Sequence, residues 1–298
     1  MSQLIDNLNT IASVKTDIKS AIEAKGVDMT GISFPGYASK IGEISGGGTV
    51  GWDQKDITEK SYEIINLNNS ASFVASSAFN GNQNIQTVNL PYATKVYNYA
   101  FYVCMSLSQV NLPMCSIIHS NTFGFCNTLG QVDLPVCSII SDYAFNGCKK
   151  LSQVSLPMCS IIRQAGFKGC SLLTQLDLPM CSYIDLNGFQ SCYSLNQVSL
   201  PMCSIIGGNA FKDCSSLTQV NLPVCSIISN YAFGYCTSLS IITIGYSSLC
   251  SLGDSNVFSN TQITSSTGSI YVPTSLVDSY KSATYWSYFS TQIFPIPE

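Results

Sequence analysis

The sequence predicts a solenoid of short parallel strands joined by irregular or short helical turns, and three observations carry that prediction. Residues 107–126 read LSQVNLPMCSIIHSNTFGFC, and 22 residues on the text returns as LGQVDLPVCSIISDYAFNGC. Pro91, Pro113, Pro135, Pro157, Pro179, Pro201 and Pro223 fall 22 apart. Phe79, Phe101, Phe123, Phe145, Phe167, Phe189, Phe211 and Phe233 keep the same step without slippage. Each period holds Leu-x-x-Val-x-Leu, which at a repeat of roughly 20–29 residues is the signature of a leucine-rich-repeat solenoid.

The regular part covers residues 87–244, inside a solenoid of residues 51–244. Val110 and Leu112 alternate with Gln109 and Asn111, the pattern of a short half-buried strand. Pro113 ends it, because proline cannot donate the next ladder bond. Residues 118–123 are expected to turn the chain, with Phe123 plugging the coil. The strands should stack into one long sheet, with turns as the opposite wall. Residues 49–86 open the solenoid atypically: Asn82 stands in the column of Cys104, and Ala93 in that of Cys115. A first coil has one face without a neighbour, so such departures are expected.

Residues 1–45 are of another kind. Leu4, Leu8, Ile11, Val14, Ile18 and Ile22 recur at steps of three and four, an amphipathic helix. Leu4, Ile11 and Ile18, with Asn7, Val14 and Ala21 at the matching d-type positions, also fit about three heptads. Residues 4–22 could therefore join chains into a homo-oligomer such as a trimer, or lie on the apolar face of Phe34, Tyr37, Ile41 and Ile44. Residues 46–50 read as a Gly-rich linker. Residues 245–298 read as a cap. It has a last strand at 269–272, a capping box at Ser275-Leu276-Val277-Asp278 and a lid of Tyr280, Tyr285, Trp286, Tyr288 and Phe289.

Composition removes several function classes. Charged residues are 10%, against a usual share of about 25%, and the net charge is −4 with no basic run. Nucleic-acid binding through phosphate neutralisation is not expected. The opening MSQLIDNLNT has no basic segment leading into an apolar run, so no secretory signal is read there. No stretch of about 18 apolar residues predicts a membrane span.

Thirteen of the 14 cysteines form two columns at period 22, one starting at Cys104 and one at Cys115. Equivalent residues on stacked coils sit about 4.7–4.9 Å apart, wider than the roughly 3.5–4.5 Å that disulfides need between Cβ atoms. Buried free thiols acting as small hydrophobes fit better. With no Cys-x-x-Cys pair, no zinc site is expected, and no other cofactor is implied.

Comparing the repeats separates scaffold from surface. Gln109, Gln131, Gln153, Gln175, Gln197 and Gln219 form one outward row on the strand; Asn111, Asp133, Ser155, Asp177, Ser199 and Asn221 form the next. These rows are either a polar binding strip or an amide ladder that aids stacking, and their uniformity favours the ladder. The turns vary more. Tyr97, Tyr99, Tyr102, Tyr143 and Tyr231, with Phe125, Tyr193 and Tyr235, add aromatics among Ser, Asn and Gly, a chemistry suited to adaptable binding. Catalysis finds little support. His119 is the only histidine, and its counterparts include Ser141, Arg163 and Gly207. Asp133 and Asp177 stand about 10 Å apart by ladder spacing, on what should be a flat strip without a cleft.

The run Leu-Pro-x-Cys-Ser-x-Ile-x-x-x-Ala-Phe-x-x-Cys, over about residues 70–244, resembles the BspA-like, Treponema-type leucine-rich-repeat family. That resemblance implies adhesion to proteins or cells rather than catalysis, with a protein or cell-surface glycan as receptor. Ile18-Lys19-Ser20-Ala21-Ile22 and Phe34-Pro35-Gly36-Tyr37-Ala38-Ser39-Lys40-Ile41 are similar to N-terminal segments of phage tail and baseplate-associated proteins. This second resemblance implies a virion protein made in the cytoplasm and released by lysis. A bacterial cell-associated adhesin and an intracellular interaction scaffold are the alternatives.

Overall fold

A computed structural model describes the backbone course of residues 51–52 and 64–66, and residues 73–297 in full. The expected head and linker, residues 1–50, lie outside the described residues.

Each coil makes two strands rather than one. The three-residue strand is where the alternation put it, as in Gln109–Asn111, Gln131–Asp133 and Gln153–Ser155. A second strand of two residues follows, as in Ile117–Ile118, Ile139–Ile140 and Ile161–Ile162. The expectation that residues 118–123 simply turn the chain is corrected here. Ile118 ends a strand, and the opposite wall is itself a sheet. That sheet has ten parallel strands in unbroken chain order, from Gly51–Trp52 to Ser251–Leu252. The six glutamine-bearing strands and the strands that follow or precede them form the other wall, hydrogen-bonded in groups of five, two and four. No helix stands in the walls between residues 73 and 272.

The sequence explains each bend. Pro113 is the second residue of a turn closed by the Cys115 N–H on the Leu112 carbonyl at 3.2 Å, a place where its fixed φ suits the turn and no N–H is missed. A wider turn then carries two left-handed residues per coil. Ser77, Tyr99, Asn121, Tyr143, Ala165, Asn187, Asn209 and Tyr231 form one such column, and Gly81, Val103, Phe125, Gly147, Gly169, Ser191, Asp213 and Tyr235 the other. In this geometry, alternate N–H groups leave the coil. Tyr143, Phe145 and Gly147 donate to Gln164, Gly166 and Lys168 of the next coil at 2.7–2.8 Å, while Ala144 and Asn146 close turns within their own. The turns are thus stacked as firmly as the strands.

The interior consists of rows. Rings from Phe79 to Phe233 stack with centroids 4.9–5.4 Å apart and planes within 15° of parallel. Burying each ring contributes about 1.5–3 kcal/mol, and stacking somewhat more. All 14 cysteines are buried and unpaired. They do more than fill space. Cys148 and Cys170 donate their S–H to the Phe123 and Phe145 carbonyls, 25 residues back, at 3.0 and 3.3 Å. Cys137 and Cys159, in the second column, donate to the Ile139 and Ile161 carbonyls. Burial pushes the thiols up, Cys137, Cys148 and Cys192 to about 12.

The far end departs from period. Ser251 pairs with Ile227, 24 residues back, and Ser269 with Ile241, 28 back. The expected strand forms as Ser269–Val272, and one more, Ile293–Pro295, lies beside it. The expected capping box does not form. Thr274–Leu276 is a 3₁₀ turn leading into a helix at Val277–Ser282, and neither start has a side-chain cap bond. Of the expected lid, Tyr280, Trp286 and Phe289 are buried, whereas Tyr285 and Tyr288 are exposed. Trp286 donates its indole N–H to the Cys250 carbonyl at 2.6 Å, and Phe289 meets Phe258, the last ring of the spine, edge-on.

Candidate functional site

The glutamine row and its neighbour row lie on one wall in register: Gln109 beside Gln131, Gln131 beside Gln153, Gln175 beside Gln197. All six glutamines are exposed, because the central residue of each strand takes the inward position. Among the described residues, no hydrogen bond joins any of these six side-chain amides to a neighbour. The expected amide ladder is therefore not made. In the second row, Asn111 donates its amide to the Asn89 side chain at 2.7 Å.

The strip, expected to be flat, is grooved instead. One open groove of about 1050 Å³ runs over four strands and contains Gln109, Asn111, Gln131, Asp133, Gln153 and Ser155. A smaller one of about 300 Å³ continues with Gln175, Asp177, Gln197, Ser199 and Gln219. Asn221 follows in the same row, half-buried, outside both. Thr87, Asn89, Ser108 and Thr128 also line the larger groove. Stepping back 22 residues from Gln109 and Asn111 would have found the first two. Thr128 has its hydroxyl committed, donating to the Met105 and Leu107 carbonyls at 2.6 and 2.9 Å.

The five tyrosines are not brought to this wall. Tyr99, Tyr143 and Tyr231 occupy the left-handed turn column, Tyr102 follows in the turn, and Tyr97 sits just past the Lys95–Val96 strand. They form small clusters of their own. Tyr102 meets Tyr99 and Phe125 edge-on at 5.3 and 5.7 Å. Tyr231 and Tyr235 flank the Lys212 ammonium at 5.5 and 5.3 Å from their centroids. Gln164 donates to the Tyr143 hydroxyl at 2.9 Å.

His119 stacks on Tyr97, with centroids 4.9 Å apart. Burial, and then the nearby Lys95 charge, hold its imidazole below the usual histidine range. Among the described residues, no hydrogen bond links that ring to a serine, cysteine or carboxylate, and no group of three His, Cys, Asp or Glu could hold a metal. No helix among them is long and apolar enough to cross a membrane.

The model of the BspA-type leucine-rich-repeat region matches residues 57–174 and 160–287, with six copies. The chain belongs to the BspA-type leucine-rich-repeat family. A leucine-rich-repeat protein from Bacteroides ovatus shares its fold at 21% identity and a TM-score of 0.52, covering 70% of this chain. The alignment spans 63% of that protein's own length. A leucine-rich cell surface protein from Faecalibacterium prausnitzii is similar at 16% identity over 78% of this chain and 91% of that one, with a TM-score of 0.30. A leucine-rich-repeat protein of T. pallidum is similar at 22% identity over 59% and 67%, with a TM-score of 0.31. No curated protein matches the chain. In the BspA-type frame, Phe, Cys and Leu rows make the scaffold, and the polar rows are what this chain presents from it.

Proposed function

We propose that this chain is a non-enzymatic binding protein that presents its grooved polar wall to a protein or glycan receptor on a cell surface. One observation carries the reading: six glutamines recur on one wall and are exposed, and among the described residues their amides have no hydrogen-bond partner. Each offers two donors and an acceptor to a ligand. Membership of a repeat family whose solenoids offer extended concave surfaces supports it. The non-enzymatic part is supported by His119, whose ring stacks on Tyr97 and, among the described residues, makes no hydrogen bond to a serine, cysteine or carboxylate. Labelled full chain should bind a panel of bacterial cells or immobilised surface proteins selectively. The Gln109→Ala/Gln131→Ala/Gln153→Ala variant should lose that binding; undiminished binding would refute the reading.

The finer part of the proposal is that the solenoid is displayed in several copies on a phage or prophage tail, with residues 4–22 as the assembly segment. What supports it is the heptad spacing of Leu4, Ile11 and Ile18 and the resemblance of the segment to tail-associated proteins. Light scattering should find a trimer for the full chain and a monomer for a chain starting at Thr49. Two monomers would contradict it.

A further inference from the structure

We infer that the grooved wall takes a neutral, hydroxyl-rich polymer: a polysaccharide without sulfate or carboxylate groups, lying along the solenoid axis with about one sugar unit per coil. The inference rests on reading that wall as the binding face, and it names the ligand class.

The wall's own chemistry narrows the choice. Its pattern is periodic, a glutamine on every rung from Gln109 with Asn, Asp or Ser beside it, and rungs recur at about 4.7–4.9 Å. A protein face that is not built of stacked strands has no such repeat. An extended peptide advances about 3.2–3.4 Å per residue, so it meets the rungs only at every third residue and leaves alternate rungs unmatched. A chain of hexose rings, each carrying several hydroxyls, advances by about one rung per ring.

Charge points the same way. Neither groove has a lysine, arginine or histidine in its lining, and each has one carboxylate, Asp133 in the larger and Asp177 in the smaller. Such a wall repels sulfated or carboxylated glycans and phosphate backbones. It also lacks the anchors of protein interfaces, which are rich in Trp, Tyr and Arg; no aromatic side chain lines either groove. What remains are amides that both donate and accept, matched to hydroxyls that do the same. Each rung adds little, so affinity should accumulate along the polymer.

Calorimetry on the full chain tests this with hexamers of β-1,4-glucose, mannose and N-acetylglucosamine, with their monomers, and with a heparin hexasaccharide. At least one neutral hexamer should bind, more tightly than its monomer, while heparin should not. Gln109→Ala/Gln131→Ala/Gln153→Ala should weaken that hexamer by roughly tenfold or more, with its thermal transition unchanged as proof of folding. The inference fails if heparin binds as well as a neutral hexamer. It fails equally if no neutral hexamer binds at millimolar concentration, or if the triple variant binds like the parent. A protein receptor lost with the triple variant, with no glycan bound, would sink the ligand class and leave the binding face standing. Retention of every binding activity by the variant would sink both.

Discussion

Two rows of this solenoid repeat at the same 22-residue step and are treated in opposite ways. The phenylalanine row runs through the interior, each ring fully or almost fully buried and stacked on the next. The glutamine row runs over the outside at the same step, with its amides making no hydrogen bond among the described residues. A third row, half-buried to exposed, is committed: Ser138, Ser160 and Ser182 donate their hydroxyls to the carbonyls of Ser116, Ser138 and Ser160 at 3.0–3.3 Å. The comparison teaches that repetition alone does not mark scaffold. A repeated residue with no partner within the protein is the one that invites a partner from outside.

The comparison can be stressed from the inside first. Cys104, Cys148 and Cys192 are held protonated by burial, at about 12 against an ordinary 9.0. Their folded values lie above their unfolded ones, so their contribution is intact below about pH 9. It is lost as the pH rises toward 12, because only the unfolded chain releases those protons. Each such thiol costs on the order of 1 kcal/mol per pH unit in that window. Denaturation midpoints should hold steady from pH 7 to 8 and collapse by pH 10–11; an unchanged midpoint at pH 11 would mean the columns are not sealed.

Phe145→Ala comes next. It opens a gap between Phe123 and Phe167 in the middle of the spine and should cost about 3–5 kcal/mol in urea unfolding. A cost below about 1 kcal/mol would show that the spine does not hold the coils. Ser160→Ala removes one hydroxyl bond from a carbonyl that keeps the Ser160 N–H at 2.9 Å, and should cost about 1 kcal/mol. Val103→Gly should change the sign. Val103 has φ of 57° in a column that elsewhere holds Gly81, Gly147 and Gly169. Relief of a left-handed β-branched residue should stabilise by about 1 kcal/mol, read as a higher urea midpoint.

Much of this was legible in the sequence because the period writes the scaffold again and again. The strand at Gln109–Asn111, the buried Phe, Leu and Cys rows and the final strand at Ser269–Val272 all follow from alternation and spacing. The Ile117–Ile118 strand was not legible, since two residues are too few for a period-2 pattern and stack only because neighbouring coils supply the partner. Nor was the capping box, where Ser275 had the right spacing but the chain entered a 3₁₀ turn instead. The left-handed turn columns did leave a signal. Asn121, Asn187 and Asn209 in one, and Gly81, Gly147 and Gly169 in the other, are residues that tolerate that conformation.

The candidate site was legible as a set of residues and not as a shape. The rows Gln109 to Gln219 and Asn111 to Asn221 were readable from spacing. The grooves run across several coils, so no single repeat encodes them. The tyrosines read as one set because sequence spacing does not say which wall a turn residue faces. Tyr143 and Tyr231 share a column with Tyr99, yet each meets different neighbours.

The most direct test of the contrast between rows is the unfolding free energy of Gln109→Ala/Gln131→Ala/Gln153→Ala beside the unaltered chain. Surface side chains without partners predict a difference within about 0.5 kcal/mol per site. A loss of several kcal/mol would mean that the glutamines hold the coils together after all, and the polar wall would then be scaffold rather than binding face.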